Sequence, residues 1–312
     1  MIVLPDTRML LDQLKAMAGP KIRDLPADMA RQMYRAMGQL TERPAPTLAS
    51  ISDVKVPTEA GPVPARLYVP LGADRPSPLL IFFHGGGWVI GDLESHHSLC
   101  AEIAQQMGLR LLSVDYRLAP EHSFPAAHDD CLAVARWVAT SPKVLGAAVE
   151  GLVLAGDSAG GNLAAAVSLL LRGDASARVR AQFLIYPAVD MVEEWGSMAA
   201  FAEGFLLEKG DMDYFAASYL PKGEARADVR VSPLRADDFA GLPPTVLFVA
   251  GLDPLRDQGR AYGEKLKAAG VPLRYHEADG QIHGCFNMRL AIASAQTQLT
   301  ACLGDLKALL HG

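Results

Sequence analysis

The chain has 312 residues, half of them apolar and one fifth charged, with a formal net charge of −6. That is enough chain for one large hydrophobic core with an elaboration, and it excludes a low-complexity or disordered polymer. The acidic balance, with no basic block, argues against a nucleic-acid partner.

Residues 1 to about 45 read as helical, with Met29, Met33 and Met37 spaced four apart. Two strands follow at 51–56 and 64–69, joined by a turn bearing Gly61 and Pro62, and they are expected to pair antiparallel. The apolar run Leu79-Leu80-Ile81-Phe82-Phe83 reads as a buried strand and leads into His84-Gly85-Gly86-Gly87-Trp88. A glycine-rich turn after a strand also suits a dinucleotide phosphate, but this one lacks the G-x-G-x-x-G spacing and the helix start behind it. A further strand at 109–114 precedes Asp115, Arg117, Glu121 and His122, which are read as a polar network holding their loop, and a helix covers 126–139.

The strand at 151–155 then runs into Gly156-Asp157-Ser158-Ala159-Gly160, followed by an Ala- and Leu-rich helix over 159–171. This G-x-S-x-G element has the strand–turn–helix context of a nucleophile elbow, where the glycines leave room for a serine on a sharp turn. Either glycine motif alone is a weak signal; the two in this order are a strong one. After a strand at 181–186, residues 188–232 interrupt the alternation, with Phe201, Phe205, Phe215 and Tyr219 available to hold this segment together or line a pocket. Strands at 245–250 and 272–277 flank a helix at 256–269, and a last helix spans 289–310. About eight strands, most of them alternating with helices, predict a mostly parallel sheet with right-handed crossovers.

A serine hydroxyl needs a base to become nucleophilic, and the base needs an acid to orient it. On such a scaffold the chain order is serine, acid, histidine, each at the end of a strand. Asp253 lies in Gly251-Leu252-Asp253-Pro254-Leu255, which follows the strand at 245–250, and His283 lies in the loop after 272–277, so Ser158, Asp253 and His283 are the expected triad. Asp257, four residues beyond Asp253 in the next helix, is the runner-up acid, and Asp279 stands too close to the histidine in sequence. His276 falls within a strand, His311 is next to the C-terminus, and His96, His97, His122 and His128 precede the serine; these are read as surface or supporting histidines.

The motifs at 84–88, 115–122 (D-Y-R-L-A-P-E-H), 156–162, 253–257 (D-P-L-R-D) and 283–284 resemble the bacterial hormone-sensitive-lipase-like esterases of the α/β-hydrolase superfamily. The resemblance implies an α/β-hydrolase fold with a catalytic domain at 46–187 and 233–312 and a helical cap at 1–45 and 188–232. It implies a carboxylesterase for short to medium acyl chains, with the amides of Gly85, Gly86 and Ala159 as oxyanion donors, and a homodimer formed through the 272–310 edge. Trp88, Asp157, Phe205, Cys285 and Phe286 are the candidate substrate-contacting residues; Cys285 stands where the family has Phe. Two other classes are weighed: hydrolysis of another acyl bond, such as an aryl formamide or an acetylated small molecule, and a binding module that has lost catalysis. The retained His283 speaks against the second.

The partner expected is a small ester. Cys100, Cys131, Cys285 and Cys302 show no C-x-x-C or metal-like pairing and are expected to be free, mostly buried thiols, and no metal or organic cofactor is expected. With no apolar stretch near the roughly eighteen residues of a membrane span, and Pro5, Asp6 and Asp12 where a leader would be basic then apolar, a cytoplasmic protein without stable membrane insertion is expected.

Overall fold

The computed structural model describes residues 2–17, 19–220 and 225–311, so parts of the expected cap at 1, 18 and 221–224 lie outside the described residues. Eight strands form one sheet: β1 (Ser50–Val56), β2 (Val63–Val69), β3 (Ser77–Phe83), β4 (Leu111–Val114), β5 (Val149–Asp157), β6 (Val179–Ile185), β7 (Thr245–Leu252) and β8 (Leu273–Ile282). Their order is β1-β2-β4-β3-β5-β6-β7-β8. β2 pairs antiparallel with both β1 and β4, and every pair from β4 onward is parallel.

The parallel strands β3 to β7 are covered on both faces, which is why they read as largely apolar runs, whereas β8 at the edge is polar and partly exposed. Within them the side chains still alternate between two cores. Leu79, Ile81 and Phe83 of β3, with Leu152 and Leu154 of β5, face the core shared with Leu163 and Leu266. Leu80, Phe82, Val153 and Ala155 face the opposite core, with Leu99, Ile103, Leu299 and Leu303. The first core is thus closed by the helices α4 (Ala126–Ala139), α5 (Ala159–Leu170) and α8 (Arg256–Ala268), and the second by α3 (His97–Met107) and α9 (Ala293–His311). Of these, α3 was not anticipated among the named helices.

The segments outside the alternation are helical in part. They comprise α1 (Pro5–Ala16), a short turn at Ile22–Asp24, α2 (Ala27–Thr41), α6 (Gly196–Ala200) and α7 (Lys209–Tyr219). Arg23 binds Glu208 and Asp211 at 3.0 Å each, which ties the N-terminal segment to the start of α7. α1 is held at the other side, where Thr7 Oγ1 donates to Gln281 and the Ser294 amide donates to Asp6. The C-terminal end of α2 is fixed by the Thr41 carbonyl, which accepts from the Leu290 and Ala291 amides, and by the buried ion pair of Glu42 with Arg289.

α7 is joined to the body through a buried histidine. His128 Nδ1 lies 2.7 Å from the Tyr219 hydroxyl, and its Nε2 lies 2.8 Å from the Arg230 carbonyl and 3.1 Å from Asn162 Oδ1. Burial pushes the His128 pKa down from 6.5 to about 4, with Arg230 adding to the effect and the hydrogen bonds from Nε2 opposing it. His84, also fully enclosed, is likewise pushed down to about 4 by burial and by neighbouring His96.

Both folded pKa values lie below that of an unfolded histidine, so the folded state binds fewer protons. Stability is therefore full above pH 6.5 and falls as pH drops toward 4. Between pH 7 and pH 5 each histidine is expected to remove on the order of 2 kcal/mol. Urea unfolding at the two pH values checks this: a His128→Gln variant should lose about half of the drop, and an equal drop in both proteins contradicts the assignment.

Candidate active site

The parallel strands end on one side of the sheet, and four of these ends converge. Gly156, near the end of β5, pairs with Phe83 at the end of β3, and Leu252 of β7 pairs with Ile282 of β8. The residues that follow β3, β5, β7 and β8 are His84, Ser158, Asp253 and His283.

Ser158 has φ 55 and ψ −118, a conformation that costs a side-chain-bearing residue about 1–3 kcal/mol. It is held there by its amide, which donates to the Ile185 carbonyl at 2.9 Å, and by its carbonyl, which accepts from Asn162 and Ala188. A methyl group on Gly160 would overlap the Phe83 carbonyl, and one on Gly156 would overlap the Gly160 backbone. The elbow therefore lies against the end of β3 with no side chain between them.

Ser158 Oγ lies 2.9 Å from His283 Nε2, and His283 Nδ1 lies 2.7 Å from Asp253 Oδ2. Asp253 is 1 % exposed, and its Oδ1 accepts from the Leu255 amide at 2.8 Å. Since a carboxylate only accepts, Nδ1 carries the imidazole proton and Nε2 is left to accept from the serine hydroxyl. Asp257, the alternative acid, is committed elsewhere: it accepts from the Ser197 amide and binds Arg256 and Arg260.

The glycine loop departs from expectation at one position. The Gly85 amide donates to Asp157 Oδ1 at 2.8 Å, so it is not available as an oxyanion donor, and that expectation is corrected. The amides of Gly86, Gly87 and Ala159 have no acceptor among the described residues. Ala159 is the first residue of α5, where amides point out along the helix axis and the positive end of the dipole lies. Gly86 has φ 116 and packs against the Ile90 backbone, while Gly87 has φ 58 and sits under the Phe215 ring, so neither place admits a side chain. Gly87 was missed because the adjacency of β3 and β5, which uses up the Gly85 amide, is not visible along the sequence.

The candidate substrate-contacting residues are spread over different surroundings. Trp88 is 2 % exposed and stacks on Tyr219 at 4.5 Å with the planes 4° apart. Phe205 is half-buried against Phe201, with ring centroids 5.2 Å apart. Phe286 is fully buried between Phe248 and Tyr186, and Cys285 beside it is also fully buried. Asp157 is enclosed too, with His96 Nε2 at 3.2 Å from Oδ1 and Asn287 Nδ2 at 3.2 Å from Oδ2. Burial alone raises the Asp157 pKa, but the attraction of His96 and the hydrogen bonds from His96 and the Gly85 amide hold it below the ordinary carboxylate range.

The polar residues at 115–122 do not form one network. Arg117 is clamped on Asp130 of α4, and Glu121 on Arg31 of α2, because each helix supplies its own partner. All four cysteines are buried and unpaired. Among the described residues no group of three or more His, Cys, Asp or Glu side chains is arranged to hold a metal ion.

Known proteins resemble this chain in sequence and in fold. Residues 80–287 match the family described as having the alpha/beta hydrolase fold. Carboxylic ester hydrolase LipN of Mycobacterium tuberculosis is 41% identical over 78% of this chain and 67% of its own length. Esterase LipI of the same organism is 36% identical over 91% of this chain and 89% of its own. Among solved structures, an ester hydrolase from the metagenome of Lake Arreo superposes with a TM-score of 0.95 at 38% identity, covering 100% of both chains.

The bare contact of elbow and β3 gives a direct stability test. Gly160→Ala is expected to cost about 3 kcal/mol and to lower the melting temperature by roughly 5–10 °C. Gly304→Ala, in α9 where the added methyl meets nothing within 4 Å, should leave it unchanged or slightly raised. Calorimetry of the two variants is decisive, since equal shifts would mean that the elbow is not packed this tightly.

Proposed function

The chain belongs to the α/β-hydrolase family, and from that premise we propose that Ser158, His283 and Asp253 carry out acyl transfer on short- to medium-chain esters. Its relatives and structural neighbours are carboxylic ester hydrolases, and its reaction class is the hydrolysis of a carboxylic ester. The observation that carries the assignment of residues is the relay of 2.7 and 2.9 Å beside three amides without acceptors.

In the proposed reaction His283 Nε2 takes the hydroxyl proton as Ser158 Oγ attacks the ester carbon. Asp253 keeps the proton on Nδ1 and stabilises the imidazolium. The carbonyl oxygen becomes negative and is met by the amides of Gly86, Gly87 and Ala159, donors fixed before the charge develops; losing one such donor typically costs about 3 kcal/mol. The imidazolium then protonates the leaving alcohol, the acyl group stays on Ser158, and a water activated by His283 releases the acid.

The segments 1–45 and 188–232 serve in this reading as the cap over a catalytic domain formed by 46–187 and 233–312. Support comes from Phe215 and Tyr219 of α7, which rest on Gly87 and Trp88 of the glycine loop and so limit the space beside the nucleophile. That crowding favours short acyl chains. We also propose that two copies pair through the 272–310 edge, because β8 is an end strand of the sheet and no further strand pairs with it, although the Leu4 amide covers its Gly280 carbonyl. Among the described residues no helix is long and apolar enough to cross a membrane, and a cytoplasmic location suits four unpaired thiols.

Hydrolysis of p-nitrophenyl esters from acetate to laurate tests the assignment. The rate should peak at short to medium chains and fall by at least about 1,000-fold in Ser158→Ala; an unchanged rate in the variant refutes it. Light scattering at micromolar protein should give twice the chain mass, and a monomer mass refutes the pairing.

A further inference from the structure

Asp157 is buried beside the nucleophile yet takes no part in the relay just described. Its two oxygens receive groups from three separate pieces of chain. The Gly85 amide comes from the loop after β3, His96 from the residue that precedes α3, and Asn287 from the turn that follows His283. The His96 ring is fully buried, and Asn287 is 7 % exposed. Asn287 Nδ2 also lies 3.0 Å from His96 Nε2, so the side chains form a closed cluster. Asp157 itself is the last residue of β5, one position before Ser158.

The consequence for the reaction is geometric. The Gly85 amide on Asp157 fixes the His84–Gly85 peptide plane, and the Gly85 carbonyl, 2.8 Å from His84 Nδ1, holds the following plane, from which the Gly86 amide projects. Gly86 and Gly87 have positive φ and no side chains to lock them, and a glycine loop left to itself samples many orientations. An anchor is needed for its amides to be preorganised.

Resting on the esterase reading above, we propose that Asp157 is a positioning residue for the oxyanion donors. We propose further that Asn287 couples the loop carrying the base to the loop carrying those donors. The carboxylate touches neither substrate nor reacting atoms; it holds the Gly85 amide away from the site so that the following amides face it. Asn287 keeps the turn after His283 in register with the same anchor, so the base and the oxyanion donors share one support.

The test compares wild type, Asp157→Ala, Asp157→Asn and Asn287→Ala on p-nitrophenyl butyrate. A second readout is inhibition by butylboronic acid, which adds to a catalytic serine as a tetrahedral adduct and places an oxygen where the oxyanion forms. Asp157→Ala should lower kcat about 100-fold with KM within about threefold, and should weaken the boronate by a comparable factor. Asp157→Asn retains an oxygen that can accept from Gly85 and should recover at least about tenfold of that loss. A kcat within about twofold of wild type in Asp157→Ala, a loss confined to KM, or an unchanged boronate affinity overturns the positioning role.

Should Asp157→Ala not fold, Asn287→Ala leaves the Gly85 bond in place and is expected to stay folded, with a lowered unfolding midpoint, and to lower kcat about tenfold; an unchanged kcat overturns the coupling. Ser158→Ala in the same assay separates the two levels. A wild type without turnover fails the esterase reading, whereas an active wild type insensitive at both Asp157 and Asn287 fails only this inference.

Discussion

Everything at this site depends on two backbones meeting without side chains between them. The turn 156–160 packs directly on the end of β3, so close that a methyl group on Gly156 or Gly160 has no room. The contact sets Ser158 in its strained conformation and places the first amide of α5 near the glycine loop. The strain is borne by the surrounding sheet, in which β5 is hydrogen-bonded on both sides, to β3 and β6. A central parallel strand buried in two cores supplies the rigidity that a single strained residue requires.

The loops around the elbow are joined by buried polar groups, each of which finds partners. Asp157 gathers the glycine loop, His96 and Asn287, while His128 gathers Tyr219, Asn162 and the Arg230 carbonyl. Arg289 is fully buried and joins Glu42 at the end of α2 to the turn that follows the base. Removing one member of such a cluster strands the others in a low dielectric, so these links specify loop positions more strictly than apolar packing does. The helices of the N-terminal segment and of 188–232 are therefore fixed to the body through specific groups, and the aromatic pair Trp88–Tyr219 extends this attachment to the glycine loop itself.

Much of the architecture was legible in the sequence because parallel strands buried on both faces leave unbroken apolar runs. The strands β3 to β7 lie where those runs fall, and the Gly-x-Ser-x-Gly turn is marked by the steric demand for its glycines. Asp253 was legible because it follows such a run, and His283 because it stands in a His-Gly pair beyond the last strand. α3 was not: it begins at His97 after an uncapped His96, and Glu102, Gln105 and Gln106 dilute its apolar face, although Gly108 in the left-handed region marked its end. The fate of the Gly85 amide was hidden for a different reason, since its acceptor is 72 residues away and only strand adjacency brings the two together. His128 and Asn287 belong to no motif, and their partners come from segments distant in the chain.

The central claim is that one serine, activated by its place in the fold, carries the chemistry. Intact-protein mass spectrometry after brief exposure to diethyl p-nitrophenyl phosphate, with peptide mapping of the product, tests it most directly. The account predicts a single diethylphosphoryl group on Ser158 in the native protein and none when the protein is first unfolded in urea. A label on another residue, or labelling of Ser158 that survives unfolding, would contradict it.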